Sequence, residues 1–356
     1  MGSRATSVEG DRLRALLDGV DALPPLPPVA RELISLGDLE HADIEQIARL
    51  IELDPGLSAR VLGLCRAAHT GLGDRIRTVQ HAAVMLGVDC IRRLVLSAQV
   101  CETLREQAEA LDDTGRTMGL TGFDRDGFWV HCVGVAVAAE RFASRLPGLV
   151  APERAFIAGL LHGVGRLALE LVAPRAMSRI MELAAAEGVA GALAERRVLG
   201  IDHHGAGRRL AERWGLPDDV IAVIDRHDDP SGAIGTHGEI VGVVALAKWA
   251  CRRYHLGWSG DWHDPGDARN LCAPLGMNPE SPRTLMPEII SACGVRLADL
   301  GFIDEALGAG EMAVLVASQA NRQLDASRRR GAPRRTGRAR DVAAVRVRAE
   351  HPAEAA

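Results

Sequence analysis

The chain has 356 residues, with 42 basic and 47 acidic side chains and a formal net charge of −5. Apolar residues make up 47% and charged residues 25%, as in an ordinary globular protein, while aromatics reach only 3%, so the core must be built from Ala, Leu, Val and Ile. The length accommodates one large domain or two modest ones; the longest apolar stretches, such as Val133–Ala139, stop short of the ~20 residues of a helical span, and the N-terminus, with Glu9 and Asp11, lacks a basic-then-apolar leader.

The chain reads as helix after helix, with apolar residues recurring at three- and four-residue steps and no period-2 strand pattern. Leu13, Leu16, Leu17 and Val20 form a first stripe, and the run Leu23-Pro-Pro-Leu-Pro-Pro28 then stiffens the chain, with Pro28 suited to the first turn of the next helix. Asp43 with Gln46 three residues on predicts a capping box ahead of Ile44, Ile47, Ala48 and Ile51. Asp54-Pro55 opens a further helix, and Thr78 caps one that carries Val79, Ala82, Ala83 and Leu86 and breaks at Gly87. Ile91, Leu94, Val95 and Ala98 continue the pattern.

The Gly- and Asp-rich stretch 112–127 predicts a loop between two helical lobes. A second helical set is expected over 127–146, 152–172, 174–187, 190–200, 202–214, 217–227 and 237–256. Residues 257–285, rich in Gly, Pro, Asp and Trp, predict an irregular excursion, followed by two or three weaker helices ending near Gln323. From Ser327 onward Arg, Gly, Ala and Pro dominate, and a disordered tail is expected.

Charge divides along the same line. Nine Arg and three acidic residues fall in 327–356, leaving 33 basic and 44 acidic residues, a net of −11, in 1–326. An acidic body is the wrong electrostatic surface for nucleic acid, so only a weak contact through the Arg-rich tail is expected. Lys248 is the sole lysine of the chain. Seven scattered cysteines without a CxxC pair argue against a disulfide framework and a thiolate zinc site, and point to a reducing, cytoplasmic setting. No GxxxxGK[ST] or GxSxG motif occurs.

The informative segment is Phe156-Ile-Ala-Gly-Leu-Leu-His-Gly-Val-Gly-Arg-Leu-Ala-Leu169, which places His162 at a helix C-terminus beside Gly163. Phe128-Trp-Val-His131 lies upstream, and Asp202-His-His204 and Asp225-Arg-His-Asp228 lie downstream. Five of the twelve histidines therefore stand near helix ends within about 100 residues, where they can converge on one pocket and bind a metal, or cap helices and fill polar niches.

These segments, in order, resemble a known family. Leu23-Pro-Pro-Leu-Pro-Pro-Val-Ala30, Ile51-Glu-Leu-Asp-Pro-Gly-Leu-Ser-Ala-Arg-Val-Leu62, Thr78–Gly87, Phe128-Trp-Val-His131, Ala158-Gly-Leu-Leu-His162 and Glu212-Arg-Trp-Gly-Leu-Pro217 together resemble the HDOD domain, a bacterial signalling module derived from the HD metal-dependent phosphohydrolases. The resemblance covers about two-thirds of the chain. It implies an all-α fold of two helical lobes, with an extension at 1–15, the domain at 16–256 (lobes 16–111 and 127–256), a further extension at 257–326 and the tail at 327–356.

In the catalytic HD relatives, the naming His is followed by Asp; here the pair is His162-Gly163. The first ligand corresponds to His131, and the last, an Asp in an Ala-Asp pair, aligns with Ala247-Lys248. His203 and His227 resemble auxiliary histidines of the cyclic-dinucleotide phosphodiesterase branch, with Asp228 replacing the second residue of its His-His pair. An HD site needs carboxylates to neutralise its metal ions, which then activate a bound water. A pocket that has lost those carboxylates and gained an ammonium group is expected to hold no metal or cofactor and to hydrolyse nothing. Three alternatives remain open from the residues: a zinc held by His131, His162, His203 and His227; an anion held by His162, Arg166 and Lys248; and a Lys248 that merely snorkels to the surface. The function implied is a non-catalytic regulatory module whose partner is another signalling protein, with residual phosphohydrolase activity or a nucleotide second messenger as the alternative.

Overall fold

The computed structural model describes residues 2–35, 44–54, 57–59, 61–62, 78–87, 91–93, 95–100, 102–103, 123–232 and 237–299. The fold is all-α, and no strand occurs among the described residues. The Asp43 capping residue, the loop core at 112–122, the weaker helices beyond 299 and the Arg-rich tail lie outside them.

The N-terminal part contains α1 (Gly2–Asp21), α2 (Pro28–Ser35), α3 (Ile44–Glu52) and α4 (Val79–Leu86). The proline run connects α1 to α2 and buries Leu23 and Leu26, with Pro28 as the first residue of α2. α3 turns Ile47, Ala48 and Ile51 inward. Thr78 accepts a hydrogen bond from the His81 amide at 3.0 Å, and α4 stops at Gly87, whose φ is +85°.

The second part is built around α5 (Arg125–Ala143). Its sequence is apolar on nearly every side, and it is buried from Gly127 through Ala139, as a helix without a polar face must be. Asp124 caps it, accepting from the Gly127 amide at 3.0 Å. Around α5 pack α6 (Pro152–Leu161), α12 (Gly238–Arg253) and α14 (Ser281–Asp299), while α7 (Val164–Val172) crosses α10 (His203–Trp214). α8 (Pro174–Glu187), α9 (Gly191–Leu199) and α11 (Asp218–Arg226) complete the bundle, with the short α13 (Arg269–Cys272) on the C-terminal side.

Three features differ from the sequence reading. The helix expected over 152–172 is two helices, broken where His162 caps α6 and Gly163 begins the next turn. The irregular excursion ends earlier than expected, because α14 runs 19 residues from Ser281 despite Pro287 within it. Its buried face, Leu285, Met286, Ile289, Cys293 and Leu297, packs on α5, and that burial offsets the missing backbone donor. Finally, the segment Pro152–Val172 that these two helices make up has the length and apolar composition of a bilayer span, but 94% of its most apolar window is buried inside the bundle.

Candidate functional site

The pocket is assembled from helix ends. α5 supplies His131, the C-cap of α6 supplies His162, the N-terminus of α7 supplies Gly163 and Arg166, and the first turn of α10 supplies His203 and His204. His227 caps α11, Asp228 follows it, and Lys248 projects from α12. The close crossing of α7 and α10 depends on Gly165, where a Cβ would stand 1.9 Å from the His203 carbonyl oxygen. All seven residues singled out from the sequence (His131, His162, Gly163, Arg166, His203, His227 and Lys248) meet in this interior, and the six with side chains are buried.

His131 and His162 form the inner end. Their rings lie 5.5 Å apart, edge to face, and His162 is 5.0 Å from His227. His131 Nδ1 lies 3.4 Å from the Leu256 carbonyl and His162 Nδ1 2.6 Å from the Gly159 carbonyl, assigning the proton to Nδ1 in each. Burial drives both toward the neutral imidazole: His131 lies well below its ordinary value and His162 at about 3, with the positive charge of Lys248 adding to the effect. The neighbouring packing has closed over Gly163. A Cβ there would meet the Phe128 ring at 2.6 Å and Cys132 Sγ at 3.3 Å, so no carboxylate fits without repacking.

Lys248 does not snorkel. It is 3% exposed, with Nζ 2.6 Å from Asp228 Oδ1 and 3.4 Å from Asp261 Oδ2. Arg166 is committed as well. Its Nε donates to Glu195 Oε1 at 3.0 Å, Nη1 donates to the Ser259 carbonyl, and Nη2 lies 3.3 Å from Asp261 Oδ1. Asp261 also accepts the Gly191 amide at 2.9 Å. The pocket is not stripped of acids as a whole: Asp228, Asp261 and Glu195 line it, three carboxylates against the two cations Lys248 and Arg166, with His203 as a further partner of Glu195. Burial opposes ionisation of Asp261, but Arg166 and Lys248 hold its carboxyl well below the usual range. The same opposition operates at Glu195, which His203 and Arg166 bring down to about 2.

The outer end carries His203, His204, His227 and Asp228. His203 Nδ1 donates to Glu195 Oε2 at 2.5 Å; with that proton so placed, the Arg166 Nη2 at 3.1 Å is a packing neighbour of Nδ1 rather than a donor to it. His204 Nδ1 is 3.5 Å from Asp202 Oδ2, and His227 Nδ1 donates to the Val223 carbonyl at 3.1 Å. Burial works against a charge on His204, yet the carboxylates of Asp202 and Asp228 raise its pKa to about 9. This end opens on a cleft of ≈ 820 Å³ lined by Lys248, Arg252, Trp249, Asn270 and Arg196.

Sequence reasoning missed Glu195 and Asp261. Glu195 lies in the middle of a helix with no motif around it. Asp261 comes from the loop after α12, positioned where the Trp258 amide donates to the Gly127 carbonyl at 2.7 Å. Its one local signal was an acidic residue among Trp258, Trp262 and glycines, which no periodicity interprets. His204 stood in the quoted Asp202-His-His204 segment without being assigned to the pocket.

Histidines gathered from helix ends into one interior pocket of a two-part helical bundle define an HD-related helical domain. The family model for the HDOD domain matches residues 23–230, more than half of the chain, and the chain belongs to that family. The match ends before α12, so Lys248 and Asp261 come from outside it. Among solved structures, an HDOD domain protein of unknown function from Geobacter sulfurreducens has a TM-score of 0.60 at 26% identity, over 91% of this chain and 99% of that one. A candidate phosphohydrolase from Shewanella amazonensis SB2B has a TM-score of 0.52 at 25% identity, over 87% and 98%. A candidate signal transduction protein from Marinobacter aquaeolei VT8, at 22% identity and TM-score 0.67 over 83% and 66%, shares the fold. An uncharacterised protein of Treponema pallidum (strain Nichols) is 22% identical over 238 residues, 67% of this chain and 44% of that protein, so the chain spans less than half the length of this curated relative.

Proposed function

We propose that this HDOD protein is a non-catalytic signalling module that acts by presenting its helical surface to another signalling protein. The observation that supports this most is the state of the two positions aligned with catalytic carboxylates. Gly163 is overpacked by Phe128 and Cys132, and Lys248 is held inside by Asp228 and Asp261. HD hydrolysis requires an anionic set that anchors metal and leaves a coordination position for the attacking water. Neither aligned position contributes an anion here, while the hydrophobic scaffold that would carry a binding surface is intact.

A second reading follows from the open cleft, whose wall includes Lys248, Arg252 and Arg196 beside Trp249, a combination suited to a nucleotide second messenger. All three of those cations are already partnered, Lys248 by Asp228 and Asp261, Arg252 by the His263 carbonyl and Arg196 by Asp202, which favours the first reading. The test uses the full chain with phosphomonoesters, phosphodiesters and cyclic dinucleotides in the presence of Mg²⁺, Mn²⁺, Fe²⁺ or Zn²⁺. No turnover above that of His131→Ala is expected. Turnover abolished both by chelation and by His131→Ala would contradict the proposal. A cyclic dinucleotide at 100 times its Kd would stabilise the fold by about 2.7 kcal/mol and decide for the second reading.

A further inference from the structure

We propose that Arg166, Lys248, Arg252 and the Gly191 amide form a site for a small oxyanion of the carboxylate class, and that the chain fills it with its own Asp261, so that the loop after α12 is a built-in occupant that keeps external anions out. The Gly191 amide donates to Asp261 Oδ1 at 2.9 Å, and Arg166 Nη2 lies 3.3 Å from the same oxygen. On the other side, Lys248 Nζ stands 3.4 Å and Arg252 Nε 4.0 Å from Oδ2. Three cations and a backbone N–H converge on one carboxylate, a donor set suited to an anionic ligand. The residue pattern left open an anion held near Arg166 and Lys248; in this structure that anion is part of the chain.

Arg252 depends on this carboxylate most. Arg166 has Glu195 as a second acid and Lys248 has Asp228, but among the described residues Asp261 is the one carboxylate within 4.0 Å of Arg252. Arg252 is 9% exposed, and a buried cation without its counter-charge is costly. The fit is nevertheless loose. Asp261 Oδ2 and Arg252 Nε are both buried without a hydrogen bond, an acceptor and a donor held 4.0 Å apart. A free carboxylate, not tethered to the backbone, can move into hydrogen-bonding range of that donor.

The loop is built as an insert. Every residue from His255 to Asp261 is buried and none is helical, whereas connecting segments ordinarily run over the surface. His255 has a φ of +59°, the left-handed region that residues other than glycine rarely adopt. Gly257, at φ +72°, passes so close to α5 that a Cβ would overlap the His131 backbone nitrogen. Trp258 anchors the loop independently of Asp261: its ring packs on Phe123 at 5.2 Å and its amide donates to the Gly127 carbonyl at 2.7 Å. Lys248 and Arg252 also line the open cleft, so a small solute can reach them once the Asp261 side chain is removed.

The test is rescue by an external anion. In the full chain, Asp261→Gly empties the place of the carboxylate, and Asp261→Asn fills it with a neutral side chain of the same shape. Thermal unfolding is followed in sodium formate and in sodium chloride at equal ionic strength. Asp261→Gly is expected to melt below the parent and to gain at least about 2 °C from formate over chloride, with a saturating dose response, while the parent and Asp261→Asn gain nothing. Where Asp261→Gly is recovered folded only when formate is present, soluble yield against chloride reads the same rescue. Adding Arg252→Gln to Asp261→Gly should abolish the gain. An Asp261→Gly chain that formate neither folds nor stabilises beyond chloride would overturn the proposal, as would an equal gain in the parent or in the double variant. The result is separate from the functional reading above: metal-dependent turnover by the parent would remove that reading and leave the rescue as measured.

Discussion

At the scale of single residues, the pocket is governed by what one side chain can replace. Lys248 sits where the resemblance to the catalytic relatives led us to expect an acid, and Asp228 and Asp261 stand around it. Removing one member of a buried ion pair costs about 3–5 kcal/mol. Asp261 retains Arg166 and the Gly191 amide, and Asp228 is partly exposed, so Lys248→Met should cost less, on the order of 2 kcal/mol by urea unfolding. Gly163→Asp tests the other position. Its side chain must displace the Phe128 ring, and overpacking of this kind costs about 1–3 kcal/mol. The expected outcome is a destabilised protein that still fails to hydrolyse phosphate esters.

The buried histidines set a pH dependence whose sign can be worked out. His131 and His162 are held neutral in the fold, His162 down to about 3, but protonate near 6.5 when the chain unfolds. Between those values the unfolded state binds more protons, so stability falls as pH decreases below 6.5, by up to about 1.4 kcal/mol per pH unit for each such histidine. His204 works in the opposite direction at higher pH: its contribution is full below 6.5 and is lost as pH rises through about 9. Thermal unfolding across pH 4 to 7 should show the acid-side loss, and substituting His162 with Phe should reduce its slope in any variant that folds.

At the scale of elements, a clip joins the two parts of the chain. Arg154 of α6 pairs with Asp219 of α11 through two nitrogens and also donates to the Ile34 carbonyl at the end of α2, at 3.1 Å. Burial opposes the ionisation of Asp219, but Arg154 lowers its pKa below the ordinary 3.8. The stability it contributes is therefore full above 3.8 and lost as pH falls through the folded value. Asp219→Asn should lower the melting temperature at pH 7 and leave less further loss between pH 4 and pH 2.

Helix faces were legible in the sequence because local spacing encodes them. The Thr78 cap and the position of His162 at the end of α6 follow from two or three neighbouring residues. The start of a separate helix directly after Gly163 and the continuation of α14 through Pro287 were not legible, because tertiary packing decides each. The partners of Arg166 lie 29 and 95 residues away along the chain, at Glu195 and Asp261, and no local pattern links them.

At the scale of the whole molecule, one hydrophobic core runs from Val20 to Leu297, so residues after the HDOD match are structurally part of the pocket's support. α1 packs on α7 and α10, and the loop bearing Asp261 closes the pocket from the other side. The proposal stands or falls on the interior between His131 and His162, where the packing of Phe128 and Cys132 leaves no room for a side chain at Gly163. The most direct measurement is a zinc-edge anomalous difference map from crystals of the full chain grown with zinc. No peak is expected between His131 and His162. A peak bridging His131 and His162, accompanied by chelation-sensitive phosphoester hydrolysis, would contradict it.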